Sequence, residues 1–315
     1  MKTQKYFILF HINIYFSSIS EKDRKKLIKD CYFPLLDLIN ISKNNSIAVE
    51  ISALSLEIIN KLSPKWVKLF KELIKNKKCE LVGSGYSQII GPLVPYEINK
   101  NNLKYGNLIY KKILGRKPDI ALINEMVFSQ SLIELYKNNG YKIIIFDKQN
   151  VDNLTKNNRT INYVRNKNKE IGVIWADSEN FQRFQYYIHG SITPDQYFNY
   201  LLTKTKNEDY TCLYSSDAET FNYRTNRYKY ERNSNIDEWK KIFKLLDYLN
   251  NNLGFKQFSI KNLFKHLKKN SEDIRNVIAE EKIILVKKQS KYNINRWNVT
   301  GLNDNKINSV NLNVH

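Results

Sequence analysis

Short apolar runs alternate with helical stretches along the first 260 residues of this chain, and that alternation restricts it to a parallel sheet with helical crossovers. Seven runs read as strands: KYFILFH (5–11), NSIAVE (45–50), CELVG (79–83), DIALIN (119–124), YKIIIFD (141–147), IGVIWAD (171–177) and YTCLYSS (210–216). Between them lie helical segments at 20–40, with Ser20 as a cap, and at 52–62 and 63–76, with Pro64 at an allowed first-turn position. Further helices are expected at 95–115, stopped by Gly115, at 129–140, closed by Gly140, and at 178–187 and 194–205. The polar stretch 147–169 reads as an irregular or hairpin excursion. Near the end, 235–254 is an amphipathic helix with Trp239, Ile242, Phe243 and Leu246 on one face, followed by a strand in GFKQFSI and a helix in IKNLFKHLKK. No internal repeat or Pro/Gly linker marks a second domain. One barrel domain over 1–260 and a helical extension with an Asn-rich tail over 261–315 are expected.

The polar residues fall in a pattern. His11, Glu50, Gly83, Glu125, Asp147, Asp177 and Asp217 each stand at or just past the C-terminal end of an inferred strand. In a parallel α/β barrel those ends share one rim, where such barrels place their active sites. Capping of the following helix accounts equally well for Asp147 and Asp177, whereas Glu is a poor cap and Glu125 needs another reason. Glu125 and Asp217, about ninety residues apart, are the paired carboxyls that cutting or transferring a glycosidic bond requires.

Composition removes several classes of function. The formal charge of +20 invites a nucleic-acid reading, but Lys outnumbers Arg and is scattered between Asn and Ile. The nearest candidate tract, NYRTNRYKYER (222–232), reads as a sugar-side or solvated loop, so no nucleic-acid partner is expected. Cys31, Cys79 and Cys212 are odd in number and lack a CxxC spacing, which speaks against disulfides and zinc and for a reducing, cytoplasmic compartment. The N-terminal run YFILFHINIYF contains His11 and Asn13 and precedes no small-residue cleavage site, so it reads as a strand rather than an export signal. No stretch of about 20 apolar residues is present to span a membrane. A metal-dependent polysaccharide deacetylase, the nearest enzymatic alternative, needs an Asp and two His. The four histidines, His11, His189, His266 and His315, form no HxH or HxxxH pair, so no metal and no other cofactor is expected.

Four stretches then carry a likeness: LFHINI (9–14), VGSGYSQIIGPL (82–93), NEMVFS (124–129) and SSDAETFNYR (215–224). They resemble, in order, the first four motifs of glycoside hydrolase family 57, an α-glucan-acting group with an incomplete (β/α)7 barrel. His11 matches the first histidine of that family's opening HxHQP-like motif, and Asn13 stands where the second would be. The tail RWNVTGLNDNKIN (296–308) is similar to an Arg-Trp and Gly-Asn pattern of short members. The likeness is to a short member without the large C-terminal domains of many relatives.

The resemblance implies an α/β fold of the (β/α)7 type, a distorted TIM barrel of parallel strands with a short helical C-terminal extension. It implies a retaining glycoside hydrolase or transglycosidase acting on α-glucan or a related polysaccharide, of α-amylase, 4-α-glucanotransferase or branching type. Glu125 would be the nucleophile and Asp217 the acid/base, with their carboxyls about 5–5.5 Å apart and the Asp217 proton held by burial or a neighbouring anion. Glu219, two residues further on, is expected to be a structural partner on the other side. His11, Tyr86, Gln88, Trp175 and Asp177 are candidates for substrate contact: His11 and Gln88 for sugar hydroxyls, the rings for stacking, and Asp177 for orienting a sugar or capping its helix. A barrel that binds glycan without turnover is the alternative of a different class.

Overall fold

The computed structural model describes residues 3–16, 19–42, 47–148, 155–156, 159–160, 163–166, 168–223 and 237–269. The tract 224–232 and the tail motif at 296–308 lie outside the described residues. All seven expected strands form: β1 (Gln4–Ile12), β2 (Ile47–Ile51), β3 (Cys79–Gly83), β4 (Ile120–Leu122), β5 (Ile143–Asp147), β7 (Lys169–Ala176) and β8 (Thr211–Asp217). They pair in parallel in the order β8-β1-β2-β3-β4-β5-β7. β6 (Tyr163–Asn166) extends this row antiparallel to β7, and β9 (Phe255–Gln257) lies parallel to the start of β1. Among the described residues β7 and β8 form no ladder, so the sheet is an unclosed (β/α)7-type barrel. The polar excursion after β5 does contain a hairpin, a two-stranded ribbon of Thr155–Lys156 with Arg159–Thr160, besides β6.

Each crossover is helical: α1 (Phe33–Ile41), α2 (Ala53–Leu62) and α3 (Pro64–Lys75), α4 (Tyr96–Leu114), α5 (Leu132–Asn138), then α6 (Ser178–His189) and α7 (Pro194–Thr205). α8 (Glu238–Asn251) and α9 (Ile260–Lys269) follow β8 and β9. Local chemistry sets the ends. Ser52 accepts from Ser55 N at 3.2 Å to start α2, Thr193 and Gln196 form a capping box with Pro194 at the first position of α7, and Gly115 closes α4 at φ 77°. Ser20, the expected cap, bonds Asp23 through its side chain instead and precedes a 3₁₀ turn.

Because both faces of the sheet are covered, strands are apolar throughout rather than alternating. On β1, Tyr6, Ile8, Phe10 and Ile12 pack outward beneath the helices, while Phe7 and Leu9 pack into the barrel interior. α9, the start of the extension, docks at the barrel's N-terminal end, where the buried Glu80 carboxylate accepts from Ile260 N at 2.6 Å and Lys261 N at 3.1 Å.

Gly106 sits inside α4, where Gly costs about 1 kcal/mol relative to Ala. A Cβ there would meet the backbone of the loop after β3, 2.6 Å from Gly85 C and 2.7 Å from Tyr86 N. Backbone cannot swing aside as a side chain does. Gly106→Ala is therefore expected to lose about 1–3 kcal/mol despite its better helix propensity, read as a lowered midpoint in denaturant unfolding.

Candidate active site

Asp217 reaches the barrel mouth through a slip in register. Phe7 pairs with Cys212 but Ile8 with Tyr214, so Leu213 is the extra residue of a bulge in β8. Cys212 packs into the interior, Leu213 and Tyr214 both pack outward, and Ser215, opposite the inward-facing Leu9, turns back in. Asp217 follows with the same parity, whereas strict alternation from Cys212 would have aimed it outward. Its backbone carbonyl is then held by Tyr214 and Thr220 hydroxyls, each at 2.8 Å.

Glu125 reaches the same mouth by strain. It lies in a single 3₁₀ turn, Asn124–Met126, at φ 53°, with Met126 at φ 58°. Left-handed backbone at two successive non-glycine residues costs on the order of 1 kcal/mol or more and persists where neighbours enforce it. Here the buried Asn124 amide clamps the turn, donating to Ser84 O and Ile89 O at 3.1 Å each.

One cleft of about 140 Å³ collects these ends. Glu125, Asp217, His11, Gln88 and Asp177 line it, and both proposed catalytic acids have exposed carboxyl-bearing side chains there. His11 Nε2 lies 3.0 Å from Ser215 Oγ. Gln88 accepts from Asn13 Nδ2 at 2.7 Å, so Asn13 links the end of β1 to the loop after β3. Asp177 caps α6 by accepting from Glu179 N and Asn180 N and pairs with Lys148 at 2.5 Å; it thus both caps and faces the cleft. Burial works against the Lys148 charge, but the Asp177 and Glu208 carboxylates hold its ammonium above the ordinary range.

Two of the expected contacts lie elsewhere. Trp175 is a core residue, 3% exposed and edge-on to Phe146 at 4.8 Å, and it does not line the cleft, whereas its neighbour Ala176 does. Tyr86 is not among the residues that line the cleft and packs edge-on against Tyr105 on α4, at 4.8 Å. The rings that do line the cleft are Phe16 and Phe181, neither singled out in the sequence. Phe181 is four residues past Asp177 on the first turn of α6, and that spacing was its available signal. A larger cavity of about 490 Å³ at the opposite end, lined by Lys77, Arg116, Lys117, Lys261 and Lys265 around Glu80 and Asp119, holds neither acid. Among the described residues no group of three or more His, Cys, Asp or Glu side chains is arranged to hold a metal ion.

Behind the cleft stand two buried carboxyls. Glu219 accepts from Asn13 N at 2.8 Å and from the Tyr32 hydroxyl. Burial, and then the charge of Asp217, push its proton affinity up to about pH 7. Glu50 is fully buried and accepts from the Ser84 hydroxyl at Oε1. Its Oε2 makes no hydrogen bond of good geometry among the described residues, although the Gln88 amide is near enough to favour the charged form. Burial dominates and raises its pKa to about 8, with Asp217 and Glu219 adding to the rise.

Comparison with known proteins places this architecture. The family description "Glycosyl hydrolase family 57" matches residues 2–287. The chain belongs to that family. Over 123 residues it is 26% identical to an α-amylase of Pyrococcus horikoshii, a stretch covering 39% of this chain and 19% of that protein. Its fold superposes with a TM-score of 0.67 on a 4-α-glucanotransferase from Thermococcus litoralis, at 16% identity, covering 84% of this chain and 40% of the other. A family 57 branching enzyme from Pyrococcus horikoshii gives the same TM-score at 12% identity, covering 93% and 76%. This family 57 chain thus spans about a fifth of the curated relative and two fifths of the transferase.

Proposed function

We propose that this chain is a retaining glycoside hydrolase or transglycosidase acting on α-glucan. The observation that carries the reading is that Glu125, from the end of β4, and Asp217, from the end of β8, line one cleft at the rim where parallel barrels react. Family membership and the fold shared with glucan-acting enzymes support the substrate class.

In this reading ionised Glu125 attacks the anomeric carbon, and Asp217 gives its proton to the departing glycosidic oxygen. The glycosyl-enzyme ester is then opened by water or a second sugar hydroxyl, whose proton returns to Asp217. His11 and Gln88 line the cleft, and in this reading they bond sugar hydroxyls.

Incubation with maltooligosaccharides tests it. Shorter products at a constant anomeric configuration indicate hydrolysis, and longer and shorter chains together indicate transfer. Binding without any new product, at several pH values, would sink the catalytic reading and leave a glycan-binding barrel.

A further inference from the structure

The larger cavity, at the N-terminal ends of β3 and β4, is charged in one sense. Five cationic side chains line its roughly 490 Å³ against two carboxylates. Both carboxylates are already engaged. Glu80 accepts from the Ile260 and Lys261 amides at the start of α9, and Asp119 pairs with Lys261 at 2.9 Å and with Lys142 at 3.9 Å. Lys77, Arg116, Lys117 and Lys265 are left lining one space with no ion pair or side-chain hydrogen bond among the described residues.

Three separate parts of the chain bring these cations together. α3 ends in a Schellman turn, Lys77 N donating to Ile74 O at 3.1 Å and Lys78 N to Leu73 O at 3.0 Å. That turn sets Lys77 at φ 60°, a left-handed position where glycine is usual. Arg116 and Lys117 follow Gly115 at the end of α4. Cations at the C-termini of α3 and α4 complement the helix dipoles, which gives those three a structural reason. α9 has none of that kind, because it presents its N-terminus to the cavity and still carries Lys261 in its first turn and Lys265 in its second. Like charges gathered from both kinds of helix end repel one another, and an anion seated among them relieves the repulsion.

We propose that this cavity is a binding site for a sugar phosphate. Arg116, with its planar fork of donors, and the Lys77, Lys117 and Lys265 ammonium groups take the phosphate. The Asp119 carboxylate and the Asn262 amide line the same space and suit sugar hydroxyls. The volume lies within the range of small-molecule pockets, and a lone phosphate ion would leave most of it unfilled. Among the described residues no aromatic ring lines it to stack on a nucleobase, which favours a sugar phosphate over a nucleotide. The site lies at the end of the barrel opposite the cleft and is independent of the roles given to Glu125 and Asp217.

Calorimetric titration of the full chain with glucose 6-phosphate, inorganic phosphate, AMP and glucose tests it. Two double variants are compared with the wild type: Arg116→Gln with Lys265→Gln, and Lys104→Gln with Lys240→Gln. The second pair removes the same charge from exposed residues that do not line the cavity. Glucose 6-phosphate is expected to bind at one site, about tenfold or more tighter than inorganic phosphate or AMP, with glucose not competing for it. The cavity variant should weaken that binding by about tenfold or more, and the Lys104/Lys240 variant by no more than about twofold. Equal weakening in both variants, or no saturation below about 10 mM, overturns the site. Inorganic phosphate or AMP binding as tightly as glucose 6-phosphate overturns the sugar phosphate assignment. Lysine acetylation of the wild type covers a cavity variant that does not fold: glucose 6-phosphate should slow modification of Lys77, Lys117 and Lys265 and leave Lys104 unchanged, and uniform rates with and without it overturn the site.

Discussion

Glu125→Gln is expected to lower glucan turnover by roughly 10⁴-fold or more, about 5.5 kcal/mol of barrier, while leaving oligosaccharide binding largely in place. A neutral amide of the same size cannot form the glycosyl ester, and the left-handed turn that presents it is held by Asn124, which the substitution does not touch. Asp217→Asn separates the two roles. With an aryl glycoside whose leaving group departs without a proton, the first step no longer needs the acid, so Asp217→Asn should retain that step and stall at the ester. A burst of released phenol followed by slow turnover is the signature, and added azide, a nucleophile needing no general base, should restore turnover. Glu125→Gln should give no burst with the same substrate. If the two variants behave alike, the assignment of nucleophile and acid/base is wrong.

The seven parallel strands were legible because a strand buried on both faces writes itself as an unbroken apolar run, and each run here is bounded by helix-forming sequence. Strand-end acids were legible for the same reason, since a carboxylate ends such a run abruptly. The direction of a side chain was not. Trp175 and Asp177 stand two apart on the same segment, yet one is packed in the core and the other lines the cleft, because the strand ends between them. Asp217 points inward only because Leu213 is an extra residue, and a bulge leaves no mark in an apolar stretch such as YTCLYSS. Glu50 was visible as a strand-end acid, but its full burial without an ion pair among the described residues comes from strands and a helix meeting around it and has no local trace.

That isolation predicts how Glu50 bears on stability. In the unfolded chain a Glu loses its proton near pH 4.5, whereas in the fold Glu50 keeps it to about pH 8. Below pH 4.5 both states are protonated and no penalty arises. Between the two values the unfolded chain binds fewer protons than the fold, so stability falls as pH rises, by about 1.4 kcal/mol per unit, and the fall ends once Glu50 ionises in the fold as well. Glu50→Gln cannot ionise in either state and lacks this slope. Its amide oxygen can take the Ser84 hydroxyl, but its NH₂ enters the place of Oε2, which has no partner of good geometry there, at a cost of about 1–3 kcal/mol. The variant should therefore be no more stable than the wild type at pH 5, and its relative stability should climb by about 3 kcal/mol by pH 8. Glu219, Asp217 and the other titrating groups are common to both proteins, so the difference between their denaturant-unfolding free energies across that range isolates position 50. Parallel stability curves from pH 5 to pH 8 would show that Glu50 is ionised in the fold at neutral pH, against the burial that otherwise holds its proton.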